Sequence, residues 1–371
     1  MGRAAFVIAL SFFVAGGACA QAGDAPGRYT VGVDALVWTF NGSRTPPLVS
    51  DGFLDDPATK VLLGGEDMDT NPNPGLRLTV SRALSERSSL EASALYFRSR
   101  STSKSVSSSG QPDSTNIFVP VFDAFLGSES LENISAAGFF SGAASAELSN
   151  NLWGAEFNLA TRMVSSGNWR IEGIAGVRYL RFHEKLFFTT DSPNLPPQPA
   201  DVYHTEDKFT ATNHFFGGQL GARARGDWGS WFGGGSLKVG IGMMRQSVNV
   251  EGTLLTNDFN NYGTPVAYAG GGYFATPTNV GEYSRNKFAL VPELALSIGY
   301  RVTPRLSLAA GYSLLYMSDV ARAPQQINRT VNYSPSDQPP TLPLGPQEPS
   351  FTFKSSDFWA HGFNLGAVYR F

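Results

Sequence analysis

Apolar and polar residues alternate with a period of two along much of this chain, most clearly from Phe358 to Phe371. One set of alternate positions (Trp359, His361, Phe363, Leu365, Ala367, Tyr369 and Phe371) is apolar with aromatic ends. The other set runs through Ala360, Gly362, Asn364, Gly366 and Val368 to Arg370 and is small or polar apart from Phe358 and Val368. Successive side chains of a strand point to opposite faces, so this pattern predicts a strand between two different solvents. The apolar face ends on Phe371 itself, as the last strand of bacterial outer-membrane barrels typically does.

Nine further runs predict strands: Arg28–Phe40, Gly75–Leu84, Ser89–Arg100, Asn151–Val164, Trp169–Phe188, Phe209–Arg225, Trp231–Val250, Lys287–Val302 and Arg305–Asp319. In the run from Lys287, the residues Phe288, Leu290, Leu294, Ile298 and Tyr300 share a face opposite Lys287, Ala289, Glu293 and Ser297. A run of a dozen residues spans ~40 Å along the strand, enough to cross a bilayer at a tilt of ~45°. The connections alternate. Short ones at 85–88, 165–168, 226–230 and 303–304 are rich in turn formers, and long ones at 41–74, 101–150, 189–208, 251–286 and 320–357 are dense in Ser, Pro, Gly, Asn and Asp. Five such loops argue against a compact soluble domain. Short periplasmic turns with long outer loops are what a transmembrane barrel requires. The pattern therefore predicts an all-β fold: one antiparallel transmembrane β-barrel of about ten strands, with both termini on the periplasmic side. A β-sandwich is the soluble alternative, but its solvent face should carry Lys and Glu where this chain places Gly, Ala or Ser.

Composition points the same way. Charged residues are only 16% of the chain, below the quarter usual for soluble domains, while Gly numbers 40 and aromatics reach 12%. A net charge of −3 leaves no footprint for nucleic acid. Residues 1–20 read as a signal peptide: Arg3, the apolar Ala4–Ala15, and Ala18-Cys19-Ala20 before a cut at Gln21. Lipidation of Cys19 is the weaker alternative, because Gly16 stands where a Leu-like residue is preferred. Cleavage removes the only cysteine, so disulfides do not stabilise the remaining domain, 21–371.

Several segments, taken together, resemble a family of outer-membrane β-barrel proteins known from planctomycete genomes. They are Pro46–Gly52 (PPLVSDG), Val61–Gly65 (VLLGG), Thr212–Ala222 (TNHFFGGQLGA), Phe288–Arg305 (FALVPELALSIGYRVTPR), Ala310–Val320 (AGYSLLYMSDV) and the Phe358–Phe371 strand. The resemblance implies an outer-membrane barrel and supplies no activity, substrate, cofactor or catalytic residue.

Candidate chemistry is sparse. His204 with Asp201, Glu206 and Asp207 could bind a cation or form a base–carboxylate pair, though long loops are rich in such residues and no metal spacing is matched. The serines at 101, 103, 105 and 107–109 lack a specified base, and Gly233–Gly235 and Gly270–Gly272 lack the strand–loop–helix setting of a phosphate site. His214 and His361 read as interfacial residues beside Phe216 and Trp359. Alternation places Asp34, Arg77, Glu91, Glu156, Arg162, Glu172, Arg178, Gln219, Arg223, Lys238, Glu293 and Arg370 inside the barrel. In a narrow barrel these balanced charges should pair, since an unpaired buried charge costs several kcal/mol. Tyr29, Trp153, Trp169, Tyr300, Tyr316, Trp359, Tyr369 and Phe371 are placed to form two aromatic girdles. Phe363, Leu365, Tyr369 and Phe371 are the expected assembly signal. The expectation is a non-enzymatic barrel with a structural or surface-binding role and no cofactor. Its partners are outer-membrane lipid and the assembly machinery, and any extracellular ligand stays unspecified. The alternatives are a narrow channel for small solutes and a hydrolase with its site in the outer loops.

Overall fold

A computed structural model describes residues 28–334 and 339–371. The predicted leader, 1–20, lies outside them. Among the described residues, ten long strands are present: β1 (Tyr29–Phe40), β2 (Asn73–Ala83), β3 (Ser88–Ser108), β4 (Gly142–Ser166), β5 (Trp169–Asp191), β6 (Tyr203–Trp228), β7 (Trp231–Thr256), β8 (Gly281–Arg301), β9 (Leu306–Val320) and β10 (Ser356–Arg370). Each pairs antiparallel with its neighbour in sequence. The ring closes where β1 meets β10, with Val31 opposite Tyr369 and Val37 opposite Phe363. The Phe371 amide donates to the Tyr29 carbonyl at 3.0 Å, so the chain's last residue takes part in the closure. Closure gives every strand two neighbours, the arrangement that lets backbone amides survive in lipid. Among the described residues, unpaired edge is left only where longer strands outrun shorter ones, beyond the Glu293–Leu315 pair on β8 and beyond the Gly75–Phe97 pair on β3.

The predicted faces are the observed ones. Leu290, Leu294, Ile298 and Tyr300 point outward while Ala289, Val291, Glu293 and Ala295 are buried inside. Two tight turns carry glycine with positive φ, Gly167 (57°) and Gly229 (62°), as two-residue hairpin loops demand. Rings gather at the periplasmic end, where Trp169 packs on Trp228 at 5.4 Å and Trp231 on Tyr300 at 5.1 Å. A second set lies toward the outside, with Trp153 against Tyr179 at 5.0 Å and Trp359 against His361 at 5.2 Å. Trp228, Trp231 and Tyr179 join the rings expected from sequence.

The strand ends differ from expectation on one side of the barrel. β4 to β7 run for 23 to 26 residues, against 11 to 15 for β1, β2, β9 and β10. Much of what reads as loop at 101–150, 189–208 and 251–286 is therefore continued strand, and the third loop shrinks to 192–202. The extensions form a tall curved wall above the membrane. The remaining loops pack on its inner face, burying Leu48, Val49, Val119, Val121, Phe188, Phe209, Phe274 and Val331 in one apolar core.

Candidate functional site

The interior of a ten-stranded barrel is narrow enough for side chains to fill, and this one is filled in successive levels. At the periplasmic mouth, Asp227 accepts hydrogen bonds from Arg170 and Arg301, and Arg225 lies 3.5 Å away while its guanidinium rests 4.1 Å over Phe232. Just above, Arg223 grips Glu91 with both terminal nitrogens, at 2.8 and 2.7 Å, and also reaches Glu172 at 3.2 Å. This fork-on-fork geometry fits the planar guanidinium and holds β6 to β3 across the lumen.

The next level is a second ionic cluster. Arg178 donates to both Glu156 and Glu293. Arg77 reaches Glu293 at 3.1 Å, Lys238 reaches Glu156 at 2.7 Å and Glu293 at 3.4 Å, and Gln219 donates to Glu156 at 3.1 Å. Glu293, Arg178 and Lys238 are all buried, so each charge depends on its partners rather than on water. A cavity of ≈ 40 Å³ lies between the two clusters, bordered by Asp34, Thr79 and Ser236. Arg162 faces Glu172 in register and Arg370 faces Thr30, both near the periplasmic end.

Above the ions the lumen becomes apolar. Trp38, Phe40, Phe97, Phe182, Phe215 and Phe358 form a fully buried layer, with Phe97 4.9 Å from Trp38 and Phe182 4.3 Å from Phe358. The Trp38 indole finds the partner it needs in Asn364 Oδ1 at 2.8 Å, and Asn364 in turn donates to Ser313 at 2.7 Å. This layer escapes sequence reasoning that assumes a polar inner face. Leu36, Trp38 and Phe40 nonetheless share a face with Asp34 and so carry the signal.

A seal covers the aromatic layer. After β9 the chain turns back into the barrel, where Asn213 pins Ala321 through two 2.8 Å hydrogen bonds. Arg322 then reaches Glu184, donating from Nη2 at 2.8 Å and from Nε at 3.1 Å, while the Ala323 amide donates to the same carboxylate at 2.8 Å. Both side chains are essentially inaccessible, at 1% and 0%. Arg322 also lies 5.5 Å over the Phe182 ring. Alternation carried on from Glu172 and Arg178 would have found Glu184; Arg322 sits in a predicted loop and had no such signal.

In the outer core, Asp207 accepts from the amides of Tyr273, Phe274 and Ala275 at 2.9, 2.7 and 2.6 Å, holding the 270–276 turn against the wall. Burial pushes its carboxyl up to about 6, although the three amides pull the other way. Gly272 permits the approach, since a Cβ there would lie 2.3 Å from Asp207 Oδ1. The four residues grouped as a possible loop site are parted: Asp207 points inward, His204 and Glu206 point outward on the same strand, and Asp201 caps the Asn194 amide. His204 bonds Asp191 at 2.8 Å through Nδ1 and Glu206 at 3.4 Å through Nε2. Among the described residues, no group of three or more His, Cys, Asp or Glu side chains is placed to hold a metal ion. Phe363, Leu365, Tyr369 and Phe371 all lie on the lipid side of β10.

A closed antiparallel ring with a lipid-facing apolar belt is the architecture of an outer-membrane barrel, and the sequence finds a match at family level. The model of the family described as "Putative beta barrel porin-7 (BBP7)" covers residues 31–371. The chain belongs to this family. It is an outer-membrane β-barrel of porin-like type. No curated protein sequence matches it. Among solved structures it is similar to the outer membrane protease OmpT from Escherichia coli, at 12% identity over 93% of this chain and 97% of that one, with a TM-score of 0.49. It is also similar to Ail, the attachment invasion locus protein of Yersinia pestis, at 7% identity over 93% and 99% of the two chains, with a TM-score of 0.26. Likeness at these levels transfers no activity to the porin-7 barrel.

Proposed function

We propose that this porin-7 barrel is a non-conducting scaffold whose work is structural or surface-binding, carried out at its outer face. The observation behind this reading is the unbroken filling of the lumen, from the Arg223 cluster through the Arg178 cluster and the aromatic layer to the Arg322–Glu184 seal. A cavity of ≈ 40 Å³ holds a water or two, which is far from a continuous path. Purified full-length protein in planar bilayers should give no stable conductance of porin size, and reproducible large channels would overturn the reading. The hydrolase alternative is not favoured, because both ring nitrogens of His204 face carboxylates, leaving neither to take a nucleophile's proton.

Export through a leader removed before Gln21, a planctomycete source, and partnership with outer-membrane lipid and the assembly machinery belong to the same proposal. The lipid-facing Phe363, Leu365, Tyr369 and Phe371, with Phe371 bonded into the closing seam, support the machinery as a partner. Deleting Phe371 should lower the amount of folded, Gln21-initiated protein in outer-membrane fractions; normal amounts would count against it.

A further inference from the structure

Charges inside the barrel are matched across the lumen, but one row on the outside is not. Arg181 on β5, His214 on β6 and Arg245 on β7 are direct neighbours in register. All three point outward on strands ~4.8 Å apart. Among the described residues neither guanidinium has an ion-pair or hydrogen-bond partner. By contrast Lys208, higher on the same wall, pairs with Glu251 at 2.5 Å, and Lys185 lies 5.2 Å over Phe187. Arg181 and Arg245 each face His214 from the strands on either side of it, so two unpartnered guanidiniums flank one position and can converge on an anion that the chain does not provide.

The level of the row indicates which anion. Phe216, Met243 and Phe288 lie one outward position below it, exposed to lipid. From the Trp231 girdle to Met243 the strand climbs ~30 Å along the membrane normal at a tilt of ~40°, which is the thickness of the hydrocarbon core. The row therefore stands where acyl chains give way to headgroups, and Tyr179 holds His214 there by a 2.7 Å bond from its hydroxyl to Nδ1. Directly above, a groove of ≈ 290 Å³ opens on the same wall, with Arg245 at its lower end and Thr210, Thr212, Ser247, Asn249 and Ser284 along it. Glu282 is the one carboxylate bordering it, at the upper end away from the row.

We propose that this wall holds the phosphorylated sugar headgroup of an outer-leaflet glycolipid. Arg181 and Arg245 clamp a phosphate, His214 lies between them, and the hydroxyl and amide side chains of the groove meet the sugar. A guanidinium suits this role because its fork matches phosphate oxygens. The site lies on the outer wall and does not depend on whether the lumen conducts, so a conductance result leaves it standing or falling on its own test.

The test uses the full-length barrel in neutral detergent micelles, titrated with bisphosphorylated lipid A, dephosphorylated lipid A and inorganic phosphate. The phosphorylated lipid should bind at least tenfold more tightly than the dephosphorylated one. The double variant Arg181→Ala/Arg245→Ala should bring the two lipids level while heat-modifiable migration persists. If the double variant loses its folded band, R245Q alone should still cost the phosphorylated lipid severalfold. Equal binding of both lipids by the native protein, or no effect of the folded variants, overturns the proposal. Displacement of the lipid by an equal concentration of inorganic phosphate would assign the site to the free ion and overturn it as well.

Discussion

The two halves of β5 are built on one parity with opposite polarity. In the lower half the outward residues include Ile171, Val177 and Tyr179, while the inward ones include the charged Glu172 and Arg178 beside Ile174 and Leu180. In the upper half the outward residues Arg181, His183 and Lys185 are polar, with Phe187 the exception. The inward Phe182, Leu186 and Phe188 are apolar, and Glu184 is the one inward charge, matched by Arg322. Nothing in the backbone changes between them; β5 pairs with β4 and β6 without a break past Tyr179. What changes is the solvent. Lipid demands an apolar exterior and leaves the lumen free to use charge, whereas water outside the membrane demands a polar exterior and lets loops pack an apolar interior behind it.

The sharpest way to break this comparison is to remove the hub of the lower half. Glu293 receives Arg178, Arg77 and Lys238, and Glu293→Ala would leave the buried Arg178 and Lys238 sharing Glu156 and take from Arg77 its ion-pair partner. Breaking a buried pair by deleting one partner costs about 3–5 kcal/mol, so the urea midpoint of the barrel in vesicles should fall strongly. Conductance should stay absent, because the aromatic layer above is untouched. A variant as stable as the parent would mean that water, not side chains, compensates the lower charges.

The upper half should answer to pH instead. Asp207 titrates at about 6 in the folded protein, against an ordinary 3.8. A raised carboxyl means the native state binds its proton more tightly, so the stabilisation is complete below about pH 4 and is lost as pH rises through 6. Over that window the outer core should weaken by about 3 kcal/mol, seen as faster amide exchange in the 270–276 turn. Asp207→Asn should flatten that profile. Exchange that slows as pH rises from 4 to 6, after correction for its intrinsic rate, would reverse the sign and reject the assignment.

The same comparison explains what the sequence allowed to be read. Strand number, short turns and the faces of β8, β9 and β10 were legible because a bilayer imposes one polarity on one face over a fixed length. The outer ends of β4 and β6 were not, because the alternation inverts there, whereas the predicted runs already carried β5 to Phe188 and β7 to Val250. Ala144, Ala146 and Leu148 face inward and Glu147 faces outward, so 142–150 scans as loop although its period is still two. The charged lumen residues were legible from parity alone, but which acid meets which base was not. Arg223 with Glu91 and Arg178 with Glu293 join strands far apart in sequence, and only closure of the ring brings them together. Arg322 was illegible for a further reason: it reaches Glu184 from a segment with no period at all.

The smallest effect tests whether charge matters by its setting rather than its count. Lys104 and Glu66 form an ion pair at the outer surface, with side chains 46% and 63% exposed. Both ions keep most of their water, and side-chain entropy opposes a fixed geometry, so the pair should contribute no more than about 1 kcal/mol. Glu66→Gln should therefore shift the urea midpoint only marginally, and any shift should shrink further as salt is raised. The contrast with Glu293→Ala is the informative quantity, since each change removes one carboxylate. If Glu66→Gln proved as damaging as Glu293→Ala, burial would not be what makes the lumen charges count, and the distinction between the barrel's interior and its outer surface would fail.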